Sequence, residues 1–124
     1  SKKYGCPVCR ESKGERKVSS FLKKSNIGFD RQKTFKNCKS PKTNYKLRYD
    51  FYLPKFNMLI EYDGMQHFKK SNFFNLSYTS YNDSIKNKFA KENDIDLLRI
   101  PYTEYNNIEN IIMERIYAST DTTT

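Results

Sequence analysis

Apolar residues recur at helical spacing soon after the start of the chain. Val18, Phe21 and Leu22 follow Ser12-Lys13-Gly14-Glu15, which has the form of a capping box, with Ser12 at N-cap and Glu15 at N3. A helix is expected over residues 13–24, ended by Asn26 and Gly28. Phe29 to Phe35 is a short strand candidate, and residues 36–45, with Asn, Lys, Ser, Pro and Thr, read as a loop. From Leu47 to Leu53 the pattern alternates. Leu47, Tyr49, Phe51 and Leu53 are expected on one face, and Arg48, Asp50 and Tyr52 on the other.

Pro54 to Asn57 is a turn, and Met58-Leu59-Ile60-Glu61-Tyr62 a second strand that pairs with the first as a hairpin and ends at Gly64. Residues 68–82 show no period and read as a long loop. Ser84 to Glu92 is expected as a helix capped by Asp83 or Ser84, with Ile85, Phe89 and Ala90 inward. Ile95 to Ile100 is a buried strand closed by Pro101, and Asn107 to Tyr117 a helix with Ile108, Ile111, Ile112 and Ile116 on one stripe. The order α-β-β-β-α-β-α implies an α/β (α+β) fold: one mixed sheet flanked by helices. The expected organisation is a cysteine-bearing lead-in over 1–11, one domain over 12–117, and a disordered tail over 118–124.

Length supports this, since 124 residues make one core and not two. No apolar run approaches a membrane helix. The opening Ser1-Lys2-Lys3-Tyr4-Gly5 leads into no apolar leader, so an intracellular, reducing setting is expected; without an initiator Met, the chain reads as a fragment or trimmed piece.

Charge changes the picture more. The net charge is +9, and residues 1–48 carry 15 Lys/Arg against 3 Asp/Glu, while residues 49–124 carry 8 against 11. A basic half suits a phosphate backbone. The bland alternative is a Lys-rich surface that is only solvated. The acidic half concentrates Asp50, Glu61 and Asp63, with Asp63 expected on the face of Glu61. Carboxylates gathered on a hairpin repel, and a divalent cation such as Mg²⁺ relieves that. Alternatively, Arg48, Arg99 or Lys86 pairs with them and holds the sheet together.

Other candidates carry two readings each. His67 is the chain's single histidine and follows the acidic strand; it is either a proton-transfer group or incidental. Lys86 and Asp83 lie one helical turn apart, as a phosphate-charge stabiliser beside the site or as a surface ion pair. The capping box explains Glu15 by itself, and a site role requires the first helix to lie over the strand ends. Arg48 and Arg99 stand either on DNA phosphate or on the acids, and Lys33 and Lys36 join them as DNA-binding candidates. Cys6-Pro7-Val8-Cys9 has the spacing of a metal knuckle.

Three stretches together resemble very-short-patch-repair-like endonucleases, a branch of the PD-(D/E)XK nucleases, and their homing relatives with an EDxHD signature. They are Leu47-Arg48-Tyr49-Asp50-Phe51-Tyr52-Leu53-Pro54, Leu59-Ile60-Glu61-Tyr62-Asp63-Gly64-Met65-Gln66-His67 and Leu97-Leu98-Arg99-Ile100. The resemblance implies a restriction-endonuclease-like core over residues 12–117 and Mg²⁺- or Mn²⁺-dependent hydrolysis of DNA, in a homing or mismatch-repair role. Asp50 matches the central metal-binding aspartate, and Glu61 the second acid. Asp63 stands where the superfamily usually has lysine, a departure the repair branch shares. Glu15, His67 and Asp83 match the remaining signature positions, Gln66 lies within the motif, and Lys86 resembles a lysine migrated to the helix. Cys6 and Cys9 resemble half of a treble-clef zinc knuckle, a Zn²⁺ site completed by upstream ligands or by Cys38 and a fourth group. In similar viral and phage proteins such knuckles precede this domain. A non-catalytic DNA-binding module on a decayed nuclease fold, and an interaction module without nucleic acid, are the alternatives. Both monomer and homodimer are compatible with the sequence.

Overall fold

The structure is a computed structural model that describes residues 12–64 and 73–121, with backbone alone for 73–80 and 119–121. The chain runs α1 (Lys13–Lys24), β1 (Asp30–Lys39), β2 (Lys46–Leu53), β3 (Met58–Asp63), α2 (Phe73–Glu92), β4 (Asp96–Pro101) and α3 (Ile108–Asp121). This is the expected order and class, a mixed α/β fold. The sheet order is β1-β2-β3-β4. The first three strands are antiparallel neighbours, whereas β4 pairs parallel to β3, with α2 as the crossover.

The sheet is packed on both faces. On one, Val18, Phe21 and Leu22 of α1 and Ile108, Ile112 and Ile116 of α3 meet Phe51, Leu53, Met58, Ile60, Leu98 and Ile100. On the other, Ala90, Ile85 and Phe89 of α2 meet Cys38, Tyr49, Leu59, Phe35, Leu47 and Leu97. Among the described residues no helix is long and apolar enough to cross a membrane.

Four local expectations change. The helix α2 begins at Phe73, so most of the expected 68–82 loop is helical and Asp83 and Ser84 lie inside the helix instead of capping it. The strand β1 continues to Lys39, and residues 40–45 close the hairpin through Ser40 N–H to Tyr45 O at 3.0 Å and Asn44 N–H to Ser40 O at 2.7 Å. Tyr49 and Phe51 do not share a face: Tyr49 packs under α2, and Phe51 under α1 and α3. The switch falls at Asp50. Opposite it in the register stands Gln32, whose φ of 52° is left-handed and turns β1 over at the same level. The last helix extends to Asp121, past its expected end at Tyr117.

Gly14 sets how closely α1 approaches β3. A Cβ there would fall inside the ring of Tyr62. Gly14→Ala is expected to destabilise the fold by about 1–3 kcal/mol through overpacking, measured by urea unfolding. An unchanged midpoint would mean that the Tyr62 ring swings away freely.

Candidate active site

The β2–β3 ladder runs Leu53–Met58, Tyr52–Leu59, Phe51–Ile60 and ends there. Beyond it, two carboxylates take over the backbone donors. The Asp50 N–H donates to Glu61 Oε2 at 2.9 Å, and the Tyr62 N–H donates to Asp50 Oδ2 at 2.8 Å. Each acid is thus fixed by the other strand. Glu61 is 6% exposed. Asp50 stands between Tyr49 and Phe51 and Glu61 between Ile60 and Tyr62, and where the ladder stops the two carboxylates give the strands' N–H groups their partners.

Burial is the first reason both acids hold their protons more tightly than usual. Asp50 is pushed up to about 8, by burial and then by the charges of Glu61 and Glu15. For Glu61, the ammonium of Lys86 opposes the rise. Lys86 Nζ lies 3.3 Å from Glu61 Oε1, with the two side chains 14% and 8% exposed. Lys86 is itself held by Tyr49, whose hydroxyl donates to the Lys86 carbonyl at 2.9 Å and whose ring faces the ammonium at 5.4 Å.

Glu15 shows half of the expected capping box. Its N–H donates to Ser12 Oγ at 3.1 Å, while its carboxylate lies 3.6 Å from Arg31 Nη2, on the side of Asp50. The helix therefore does lie over the strand ends, and the cap alone does not account for Glu15. Asp63 shares the α2 side with Glu61 as expected, and meets Arg99 Nη1 at 3.1 Å. Arg99 also reaches Asp83 at 3.4 Å and Asn87 Oδ1 at 2.9 Å. Asp63 and Asp83 thus form an ion-pair group beside the Asp50–Glu61 pair, and Arg99 faces these acids.

Arg48 and Lys36 are exposed on the hairpin, and Lys33 lies over the rings of Phe35 and Tyr52 at 5.3 and 5.2 Å. Gln66, His67, Cys6 and Cys9 lie outside the described residues. Cys38 is buried with its thiol 3.6 Å from the Tyr49 hydroxyl, and burial raises its pKa, against the thiolate that a zinc ligand requires.

Sequence reasoning missed Arg31 and gave Tyr49 only a place on a strand face. Arg31 braces Glu15, and its Nε donates to the Asp50 carbonyl at 3.4 Å. Neither has a spacing signal, because their contacts are set by cross-strand register and by the turn of α2 above it.

Among the described residues no group of three His, Cys, Asp or Glu gathers at metal-binding spacing. The pair Asp50 and Glu61 nonetheless suits Mg²⁺, which takes one or two carboxylates and completes its shell with water and substrate phosphate. Their pKa values are raised first by burial, which a bound cation would oppose by favouring the ionised carboxylates.

No family model matches the chain, and no solved structure does. It is similar to uncharacterized protein 307L of Invertebrate iridescent virus 6, 32% identical over 65 residues, covering 48% of this chain and 33% of that protein. It is also similar to uncharacterized protein 033L of Invertebrate iridescent virus 3, 27% identical over 99 residues, covering 75% of this chain and 50% of that protein. The chain therefore spans half or less of the length of these relatives.

Proposed function

We propose that this chain is a metal-dependent DNA endonuclease or nickase of the very-short-patch-repair-like kind, encoded by a virus. The observation that carries the reading is the pair Asp50 and Glu61. A buried Glu61 and a half-buried Asp50 are locked into a break in the ladder, beside one lysine and next to the most basic part of the chain. Asp50 and Glu61 would hold Mg²⁺ or Mn²⁺. The ion, when bound, would polarise the scissile phosphate and activate water. Lys86 would hold Glu61 ionised and present positive charge to the phosphate in the transition state. Arg31 keeps Glu15 beside Asp50, and Tyr49 fixes the turn of α2 that carries Lys86. The viral relatives support a virus-encoded origin, and homing or repair is the role the family resemblance suggests.

A second reading, a DNA-binding module without catalysis, is favoured by one observation. Both Glu61 oxygens already have partners, in Lys86 and the Asp50 N–H. Nicking of supercoiled plasmid with Mg²⁺ or Mn²⁺ separates the two. Conversion to nicked or linear DNA is expected, and both EDTA and Asp50→Ala are expected to stop it. No cleavage of plasmid or mismatched duplex, with salt-sensitive binding retained, would replace the first reading by the second.

A further inference from the structure

Five cations of the described residues meet carboxylates. Lys24 meets Glu109, Arg31 meets Glu15, Lys86 meets Glu61, Arg99 meets Asp63 and Asp83, and Arg115 meets Asp96. Between Asp30 and Asp50 the β1–β2 hairpin concentrates cations without acids. Residues 31–49 hold seven Lys/Arg and no Asp or Glu. Lys36, Lys39, Lys46 and Arg48 are exposed, and none of them pairs with a carboxylate among the described residues.

Their placement is directional. Leu47 and Tyr49 turn toward α2, so their alternate neighbours Lys46 and Arg48 project from the opposite face. Lys39 is the cross-strand partner of Lys46 and points the same way. Like charges placed directly opposite one another destabilise a ribbon; a polyanion lying on this face would reverse that term. Arg48 precedes Asp50 by two residues, about 7 Å along the strand, so the cationic stretch ends close to the proposed cleavage site.

We propose that this open face of the β1–β2 hairpin is the docking surface for the phosphate backbone of duplex DNA, carried by Lys36, Lys39, Lys46 and Arg48. The proposal rests on the nuclease reading for its choice of polyanion. Single-strand binders stack bases on aromatic platforms. Here Phe35, Tyr49 and Tyr52 belong to the α2 side, and the open face carries cations instead. That side is already packed against α2, through Phe35 on Phe89 at 5.1 Å and Lys42 over Tyr81 at 4.9 Å. The ribbon therefore lies along a backbone by one face and does not insert into a groove.

The test compares two variants of equal charge loss. One is Lys36→Gln, Lys39→Gln, Lys46→Gln, Arg48→Gln. The other is Lys23→Gln, Lys55→Gln, Lys88→Gln, Lys91→Gln, whose lysines are also exposed. Binding of a short duplex oligonucleotide is measured in EDTA across a salt series, with thermal melts to check folding. The hairpin variant is expected to bind at least about tenfold more weakly, with the log–log salt slope reduced by roughly three to four units; the control variant is expected to change little. Equal weakening in both variants, unchanged binding in the hairpin variant, single strands bound as tightly as duplex, or no duplex binding by the parent would each overturn the proposal. Plasmid cleavage by the parent is read separately. Cleavage with no hairpin effect removes this docking surface and leaves the nuclease. Hairpin-dependent binding without cleavage removes the nuclease and leaves the docking surface.

Discussion

Asp50→Asn is expected to abolish metal-dependent cleavage and, in metal-free buffer near neutral pH, to make the protein more stable. Removing a ligand that supplies several kcal/mol of charge stabilisation lowers the rate by roughly 10³-fold or more. The stability gain follows from the titration of Asp50. Its folded-state pKa is pushed up to about 8 from an ordinary 3.8, first by burial. Below the ordinary value the acid is protonated in both states, and its ionisation has no effect on folding. As pH rises from about 4 toward 8, the unfolded chain releases the proton while the folded chain retains it against the solution, so stability is progressively lost. Asparagine has no proton to lose, and its amide oxygen can still accept the Tyr62 N–H. A gain of about 1–2 kcal/mol at pH 7 is expected after relaxation of the site, roughly 5 °C in Tm. It should fade as pH falls to about 4. Saturating Mg²⁺ should raise the Tm of the parent and leave the variant unmoved. Thermal melts with and without EDTA from pH 4 to 8 measure all of this. A variant less stable than the parent throughout would make Asp50 a structural member of an ion-pair network.

The sequence reveals this site unevenly. Asp50 and Glu61 stand out because a carboxylate flanked on both sides by large apolar strand residues needs a reason, and strand alternation brings Asp63 to the side of Glu61. The helix α1 is legible to the residue, since Ser12 caps it and its apolar spacing is regular. The first half of α2 is not. Its run of Phe, Asn, Ser, Tyr and Thr is made of weak helix formers without an amphipathic period, so neither propensity nor pattern marks Phe73 as a start. The face switch at Asp50 is hidden for another reason. It depends on Gln32 taking a left-handed conformation eighteen residues away on the paired strand, which no alternation rule contains. Glu15 shows how a complete local explanation misleads. The cap accounts for its backbone, and only the packing of α1 on the sheet, set by Gly14 against Tyr62, brings its carboxylate to Arg31 and Asp50.

Lys86 is the residue on which sequence pattern and packing differ most, and its substitution gives the second large effect. A helix-surface pair with Asp83 is the simpler expectation from spacing; the structure turns Lys86 to Glu61 and brings Asp83 to Arg99. Lys86→Met is expected to lower kcat by about 10²–10³-fold, the loss typical of one preorganised charge on a developing anion. It should also lower stability by about 2–3 kcal/mol, because Glu61 is left buried without its cation. The two losses have different causes, so a second substitution separates them. In Lys86→Met with Glu61→Gln the orphaned charge is gone, and most of the lost stability should return. Activity should not, since both the phosphate-facing ammonium and a metal-binding carboxylate are then missing. Lys86→Arg should preserve folding better than activity, because guanidinium restores the ion pair with a different reach and geometry. Urea unfolding and single-turnover cleavage, run on all three variants, read the two quantities independently. If Lys86→Met loses stability alone and cleaves at the parent rate, Lys86 is a structural counter-ion to Glu61, and the charge at the phosphate must come from another cation.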